Sequence, residues 1–298
     1  MLSPHTFSPT WVGLGRNVIP VGLRRALGNA VERATGSRTD LYLAWLKRRL
    51  WNRPPGTLVR YKDLTIRINN GPNAYVGLKD IFVRRIYHFD SPRPDPLIVD
   101  CGSNIGLSIL YFASTYPSSR VIGFEPDPTI FPYLQENMAR NNVHNLELIH
   151  AAVSARPGPT TLHSDGTCGS HLARGASSDA PGAATQYQVP CVRLRDYLTE
   201  RVDFLKMNIE GAEWEVLEDC EDRLSQVREM IIEYHHLPEL PRTLHRILTL
   251  LDRQGFEFLI NDFDAVTNPG SLPPFRLEAT SRYFLLVYAR RRASAGAD

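Results

Sequence analysis

The stretch LIVDCGSNIG, residues 97–106, decides how the chain is read. An apolar run leads into Asp100, and Gly102 and Gly106 follow within one short turn. This is the pattern of a buried strand handing over to a helix. Glycines in such a turn admit a left-handed backbone or a close approach to a ligand. In open α/β sheets ligands sit beyond the carboxyl ends of the strands, so the carboxylate of Asp100 is expected at the rim of a pocket. A helix starting near Ile105 is expected to aim its positive end at an anionic group there.

Outward from this stretch, short apolar runs alternate with amphipathic ones. Strands are predicted at RVIGFE (120–125), LELIHAAV (146–153), DFLKMN (203–208), EMIIEYH (229–235), FEFLI (256–260) and YFLLVYA (283–289). The clearest helix is 241–254, with Pro241 in its first turn, Leu244, Ile247, Leu248 and Leu251 on one stripe, and Gly255 as its stop. Near-continuous apolar strands alternating with helices predict an α/β fold, a doubly wound and mostly parallel sheet covered on both faces. Residues 163–187, rich in Gly, Ala, Ser and Asp, interrupt the rhythm and are read as a long loop, either a lid or a disordered insertion.

Upstream, β-branched alternation in LVRY and DLTIRIN, followed by the Asn-Gly of NNGPN, predicts a hairpin whose next strand ends in IFVRRIYHF. The proline-rich DSPRPDP (90–96) reads as an extended linker. Nearer the start, Leu23, Leu27, Ala30 and Val31 form one helical stripe, and a second helix is expected from Thr39 or Asp40 through LYLAWLKRRLW to the prolines at 54 and 55. The expected organisation is a basic helical extension (1–57), a β-hairpin and linker (58–96), a ligand-binding domain (97–289) and a disordered tail (290–298).

Composition bounds the possibilities. Over 298 residues, 43% hydrophobic and 22% charged content is that of a folded domain rather than a disordered chain. The 4 cysteines, Cys101, Cys168, Cys191 and Cys220, form no C-x-x-C pair, which argues against zinc and disulfide frameworks. No apolar run approaches membrane-span length and no signal pattern opens the chain, so a cytoplasmic protein is expected. The net charge of +2 hides an asymmetry: residues 1–62 are strongly basic and 63–289 acidic. The basic N-terminal helices are read either as a solvated face or as a peripheral contact with a membrane surface.

The glycine turn lacks the G-x-G-x-x-G of dinucleotide loops; Ser103 and Asn104 stand between its glycines. That suits a ligand bearing a carboxylate and an ammonium better than a diphosphate. The second strand ends in Glu125, where a carboxylate can accept both hydroxyls of a ribose. Acid, turn and ribose acid together predict S-adenosylmethionine as cofactor. Small side chains at the end of the third strand, Ala152 among them, would let an adenine lie flat.

The blocks VDCGSNIG (99–106), GFEPDP (123–128), LKMNIEGAEWEVL (205–217) and IIEYH (231–235) resemble the FkbM family of methyltransferases over roughly residues 60–262. The resemblance implies a Rossmann-like sheet and methyl transfer to hydroxyls of secondary metabolites or sugars. Many relatives would carry Asp where this chain has Asn208; an asparagine cannot act as a base, but it can hydrogen-bond the donor's amino group.

Methyl transfer from a sulfonium requires alignment, exclusion of water and a late proton acceptor. Candidates lie at the ends of the fourth and fifth strands, which adjacent parallel pairing would bring together. His235 is the first choice of base because an imidazole titrates near neutral pH, Glu210 the second, and Glu233 stands beside them. These three could also hold a divalent metal, which is not favoured. Glu213 is read as a helix-terminal charge, His236 as a loop residue and His150 as a core histidine. The expected acceptor is a small-molecule or glycan hydroxyl. Two alternatives are a nucleic-acid or protein N-methyltransferase and a non-catalytic donor-binding scaffold. Nucleic acid is disfavoured, since NIEGAE stands where Asn-Pro-Pro-Tyr would be expected and the surrounding region is acidic.

Overall fold

The computed structural model describes residues 38–164, 171–172, 185–262 and 282–292. The chain divides into two units, Met1–Arg49 and Leu50–Asp298. The helical stripe expected at 23–31 lies outside the described residues. Helix α1, described over 38–50, stops short of the prolines as expected. It buries Leu46 and Leu50 and exposes Leu41, Tyr42 and Trp45, with the Arg49 guanidinium 5.2 Å over the Trp45 ring. No described helix is long and apolar enough to cross a membrane.

The hairpin is real but closes one turn earlier than the sequence suggested. Strands β1 (Leu58–Tyr61) and β2 (Leu64–Arg67) pair antiparallel across Lys62, whose φ is 53°. NNGPN instead starts helix α2 (Gly71–Gly77): the Asn70 side chain accepts the Asn73 N–H at 3.0 Å, and Pro72 sits in the first turn. The chain continues through a π-helical turn, Leu78–Val83, so IFVRRIYHF is not a strand. The cap and the preset proline φ nucleate a helix where Asn-Gly alone reads as a hairpin. Asn70→Ala is expected to lower stability by about 1 kcal/mol; an unchanged urea midpoint would show that the cap contributes nothing.

The central sheet is built from β3 (Leu97–Cys101), β4 (Arg120–Phe124), β5 (Leu146–Ile149), β10 (Val202–Met207), β11 (Val227–His236), β12 (Phe256–Asp262) and β13 (Tyr283–Arg291). Its order is β12-β13-β11-β10-β3-β4-β5. The pairs β3–β4, β4–β5, β3–β10 and β10–β11 are parallel, and only β13 runs against its neighbours. The chain leaves β3 toward β4 and β5, then returns to β10 on the other side. Strand order therefore reverses between β3 and β10, the place at the carboxyl edge where open α/β sheets take their ligands. Helices α3 (Leu107–Thr115), α4 (Phe131–Arg140), α5 (Glu213–Asp219) and α6 (Leu244–Arg253) connect the strands. Every residue of β3 and β10 is buried, as the apolar runs required.

LELIHAAV does not form one strand. Its first half is β5, and after Ala151 the chain enters a separate 4-stranded sheet, β6 (Ala152–Val153), β7 (Gly158–Ser164), β8 (His171–Leu172) and β9 (Thr185–Val192), in the order β6-β9-β7-β8. This sheet takes in both flanks of the expected 163–187 loop, whose remaining residues lie outside those described. The pairing continues inward from Thr160 opposite Val189 and Leu162 opposite Tyr187 to Ser164 opposite Thr185. Strand β11 extends through His236, so that residue is not in a loop; it is 4% exposed and 4.7 Å from the Tyr283 ring. Strand β13 likewise takes Arg290 and Arg291 out of the expected tail.

Candidate active site

Three of the five residues after β3 have positive φ: Gly102 at 84°, Asn104 at 49° and Gly106 at 90°. The amides of Gly102 and Ser103 both donate to the Phe124 carbonyl, at 3.0 and 2.8 Å, which ties the turn to the end of β4. The Ser103 hydroxyl, 2% exposed, donates back to the Asp100 carbonyl at 3.2 Å. Asn104 holds its left-handed conformation by accepting the Ile105 N–H on its own side chain at 2.8 Å. Both glycines answer to the protein's own packing as well as to φ. A Cβ on Gly102 would lie 1.9 Å from the Asn208 carbonyl oxygen, and one on Gly106 would lie 2.5 Å from Met138 Cε.

Asp100 does not reach the rim. It is fully buried beneath the turn, where Oδ2 accepts from the Ser108 hydroxyl at 2.5 Å and Oδ1 lies 3.1 Å from Lys206 Nζ. Lys206 is 2% exposed and also donates to the carbonyls of Gly102 at 2.5 Å and Cys101 at 3.2 Å. One ammonium thus joins strand β10 to the floor of the turn. The sequence reading gave it no role, although a lysine inside the buried strand VDFLKM was the signal: such a charge must be paired.

Beyond Lys206, the Asn208 N–H donates to the Cys101 carbonyl at 3.0 Å. Its side-chain Nδ2 donates to Glu233 Oε2 at 2.7 Å, and the other Glu233 oxygen accepts from the Tyr87 hydroxyl. Tyr87, read from sequence as part of a strand, is therefore also a site residue. Burial pushes the Glu233 carboxyl above its usual range, against the pull of Lys206 and Tyr87. Asn208 Oδ1 is buried and, among the described residues, finds no hydrogen-bond donor.

The sequence placed Glu210, Glu233 and His235 together, and the fold brings them together. Glu210 (φ 52°) and Gly211 (φ 95°) make a sharp turn after β10. Its close is held by Glu213, 1% exposed, which accepts the Gly211 N–H at 3.0 Å. Glu213 starts α5 as expected, and it also faces His235. The His235 ring has Nδ1 2.9 Å from the Glu233 carbonyl oxygen and 3.3 Å from Glu213 Oε1, and Nε2 3.6 Å from Glu210 Oε1. Burial alone would lower its pKa, but the carboxylates of Glu210, Glu213 and Glu233 outweigh burial and raise it to about 10. Burial, with Glu213 and Glu233 nearby, raises Glu210 to about 7 while His235 opposes the shift. At neutral pH the imidazole is charged and the carboxylate is the group that titrates.

Glu125 is 6% exposed and lies across the turn, accepting Asn104 N–H at 2.7 Å and Asp127 N–H at 2.9 Å. Burial raises it to about 7, against those two hydrogen bonds. Ala152 is buried but pairs with Cys191 in the smaller sheet. His150 is not a core residue: it is exposed, with its ring stacked 4.3 Å from that of Phe131. Among the described residues no group of metal-ligating side chains is arranged around a common point; both oxygens of Glu233 already accept hydrogen bonds from Tyr87 and Asn208.

Strand register sets these groups in one line. Cys101 is opposite Phe124 and Met207, and Met207 is opposite Ile232. The next residues, Glu125, Gly102, Asn208 and Glu233, therefore cross the carboxyl edge of four adjacent strands.

Residues 100–258 match the family model described as Methyltransferase FkbM domain. Methyltransferase 1 of Beauveria bassiana is 29% identical over 219 residues, covering 66% of this chain and 84% of that protein. The 31-O-demethyl-FK506 methyltransferase FkbM of Streptomyces tacrolimicus is 26% identical over 233 residues, covering 64% and 88%. The 2-O-methyltransferase NoeI of Sinorhizobium fredii is 29% identical over 177 residues, covering 53% and 72%.

Proposed function

Because the chain belongs to the FkbM methyltransferase family, we propose that it transfers the methyl group of S-adenosylmethionine to a hydroxyl of a small molecule, sugar or secondary metabolite. The observation that carries this reading is the line of Glu125, Gly102, Asn208 and Glu233 across the sheet edge where strand order reverses. Two of the relatives are named for O-methylation, which favours oxygen over nitrogen as the acceptor atom.

The residues present fit the donor. Asn208 Oδ1, buried without a hydrogen-bond donor among the described residues, suits an ammonium. The N-terminus of α3, opening at Gly106, favours a carboxylate. The remaining lone pairs of Glu125 suit ribose hydroxyls. Asp100, Ser103 and Asn104 act on the turn that carries these groups, and Ala152, just after β5, is small enough to let an adenine lie flat. S-adenosylmethionine, when bound, supplies a methyl group on a sulfonium, already activated toward an oxygen nucleophile.

Glu210 would accept the acceptor's hydroxyl proton as that oxygen takes the methyl group that the bound donor would give up. Its pKa near 7 makes its ionised form available at neutral pH while keeping it basic enough to receive a proton. His235 stays charged and steadies the Glu210 carboxylate, and Glu233 and Glu213 hold the imidazolium. Orientation by this rigid strand-end frame supplies the larger share, since alignment alone is worth ~7–11 kcal/mol.

Calorimetric titration with S-adenosylmethionine tests the donor half. Glu125→Ala is expected to weaken binding roughly 10–100-fold, the value of hydrogen bonds to a charged group. Unchanged affinity would remove Glu125 from the ribose.

A further inference from the structure

The line across the sheet does not stop at Glu233. Leu286 of β13 is the register partner of Glu233, and Asn261 of β12 is the register partner of Leu286. Directly opposed residues of neighbouring strands share a face. Leu286 and Asn261 therefore continue the row on the side where Glu233 meets Tyr87.

On that side lies a cleft of about 410 Å³, lined by Asp80, Arg84, Arg85, His88, Asn261 and Tyr288 together with Ile86 and Leu286. Its charged wall is the segment that follows α2. Asp80, 4% exposed, pairs with Arg84 at 3.0 Å and Lys79 at 3.5 Å. Arg85 is exposed and, among the described residues, has no carboxylate partner. Its Nη2 lies 3.0 Å from His88 Nδ1 and its Nε 3.4 Å from the Tyr111 hydroxyl, both neutral contacts that position a guanidinium without neutralising it. Burial and the neighbouring Arg85 lower the His88 pKa, so its ring is neutral at pH 7. Arg85 also has φ 58°, a left-handed conformation that is strained for a non-glycine residue. Such strain collects where a side chain is held for a ligand.

We propose that this cleft, whose Asn261 stands two strand spacings, ~10 Å, from Glu233, is a subsite for an anionic group of the methyl acceptor, with the Arg85 guanidinium, beside Arg84, binding a phosphate or carboxylate. The acceptor is then a hydroxylated molecule that also carries an oxyanion. This rests on the O-methyltransferase reading, because only that reading makes the Glu233 end of the row the reacting end.

The test titrates the full chain with inorganic phosphate and, separately, with acetate at constant ionic strength, following the arginine Nε resonances by NMR. S-adenosylmethionine affinity is measured on the same samples. Saturable movement of the Arg85 signal is expected, with phosphate stronger if the acceptor is phosphorylated and acetate stronger if it is a carboxylic acid. Arg85→Met should weaken anion binding at least 10-fold, Arg85→Lys less, and donor affinity should stay within 2-fold. If Arg85→Met unfolds, Arg85→Gly, which adopts a positive φ freely, replaces it. Absence of saturable binding of either anion, or equal binding by the Arg85 variants, would overturn the subsite. Loss of donor binding in the wild-type chain would instead overturn the methyltransferase chemistry and leave the anion result standing.

Discussion

Lys206→Met is expected to destabilise the fold by about 3–5 kcal/mol, the cost of leaving one member of a buried ion pair without the other. Asp100 is fully buried, and with the ammonium gone only the Ser108 hydroxyl would face its carboxylate. The same substitution releases the carbonyls of Cys101 and Gly102, which Nζ holds at the floor of the turn. Donor affinity should fall with stability, because the turn is fastened from below. The control is the pair Lys206→Met with Asp100→Asn, which removes the stranded charge and should recover most of the loss in urea denaturation. A single-variant midpoint equal to wild type would show that Lys206 does not support the turn.

Glu210→Gln is expected to lower kcat by about 10²–10⁴-fold, the usual value of a general base, with donor affinity unchanged. Glutamine keeps the size of the side chain and removes its ability to take a proton. The pH profile carries the sharper signature. Burial and neighbouring carboxylates raise Glu210 to about 7, so activity should climb as pH rises through 7 and the carboxylate form appears. It should decline near 10, where His235 loses the proton that its carboxylate neighbours stabilise against burial. Because Glu210 and His235 interact, the two limbs belong to the pair rather than to either residue. The variant should lose the rising limb. If His235 were the base, the active form would be the neutral imidazole, and activity would keep rising toward pH 10 in both proteins.

Much of the chain was legible beforehand because local chemistry and global structure agree. LIVDC and VDFLKM are apolar runs bounded by turns, and in a doubly wound sheet such runs have no choice but the interior. Leu244, Ile247 and Leu251 recur at helical spacing and Gly255 ends the period, so α6 could be placed closely. Failures came where a local signal has two outcomes. Asn70-Gly71 serves a hairpin turn or a helix cap, and the choice went to the cap once Asn73 N–H and Pro72 were in place. Residues 146–153 keep one β texture while changing sheets, since side-chain alternation says nothing about which partner strand is taken.

The sequence by itself determined the fold class, the glycine turn after the first central strand and the set of carboxylates and imidazole at the strand ends, because periodicity and turn chemistry are properties of neighbours along the chain. Only the tertiary structure decided what surrounds each acid. Asp100 became the buried partner of Lys206, 106 positions away in sequence, Glu210 was raised to about 7 and His235 to about 10. A side chain's charge state is set by burial and by the charges across from it, and those come from strands that the chain brings together only when it folds.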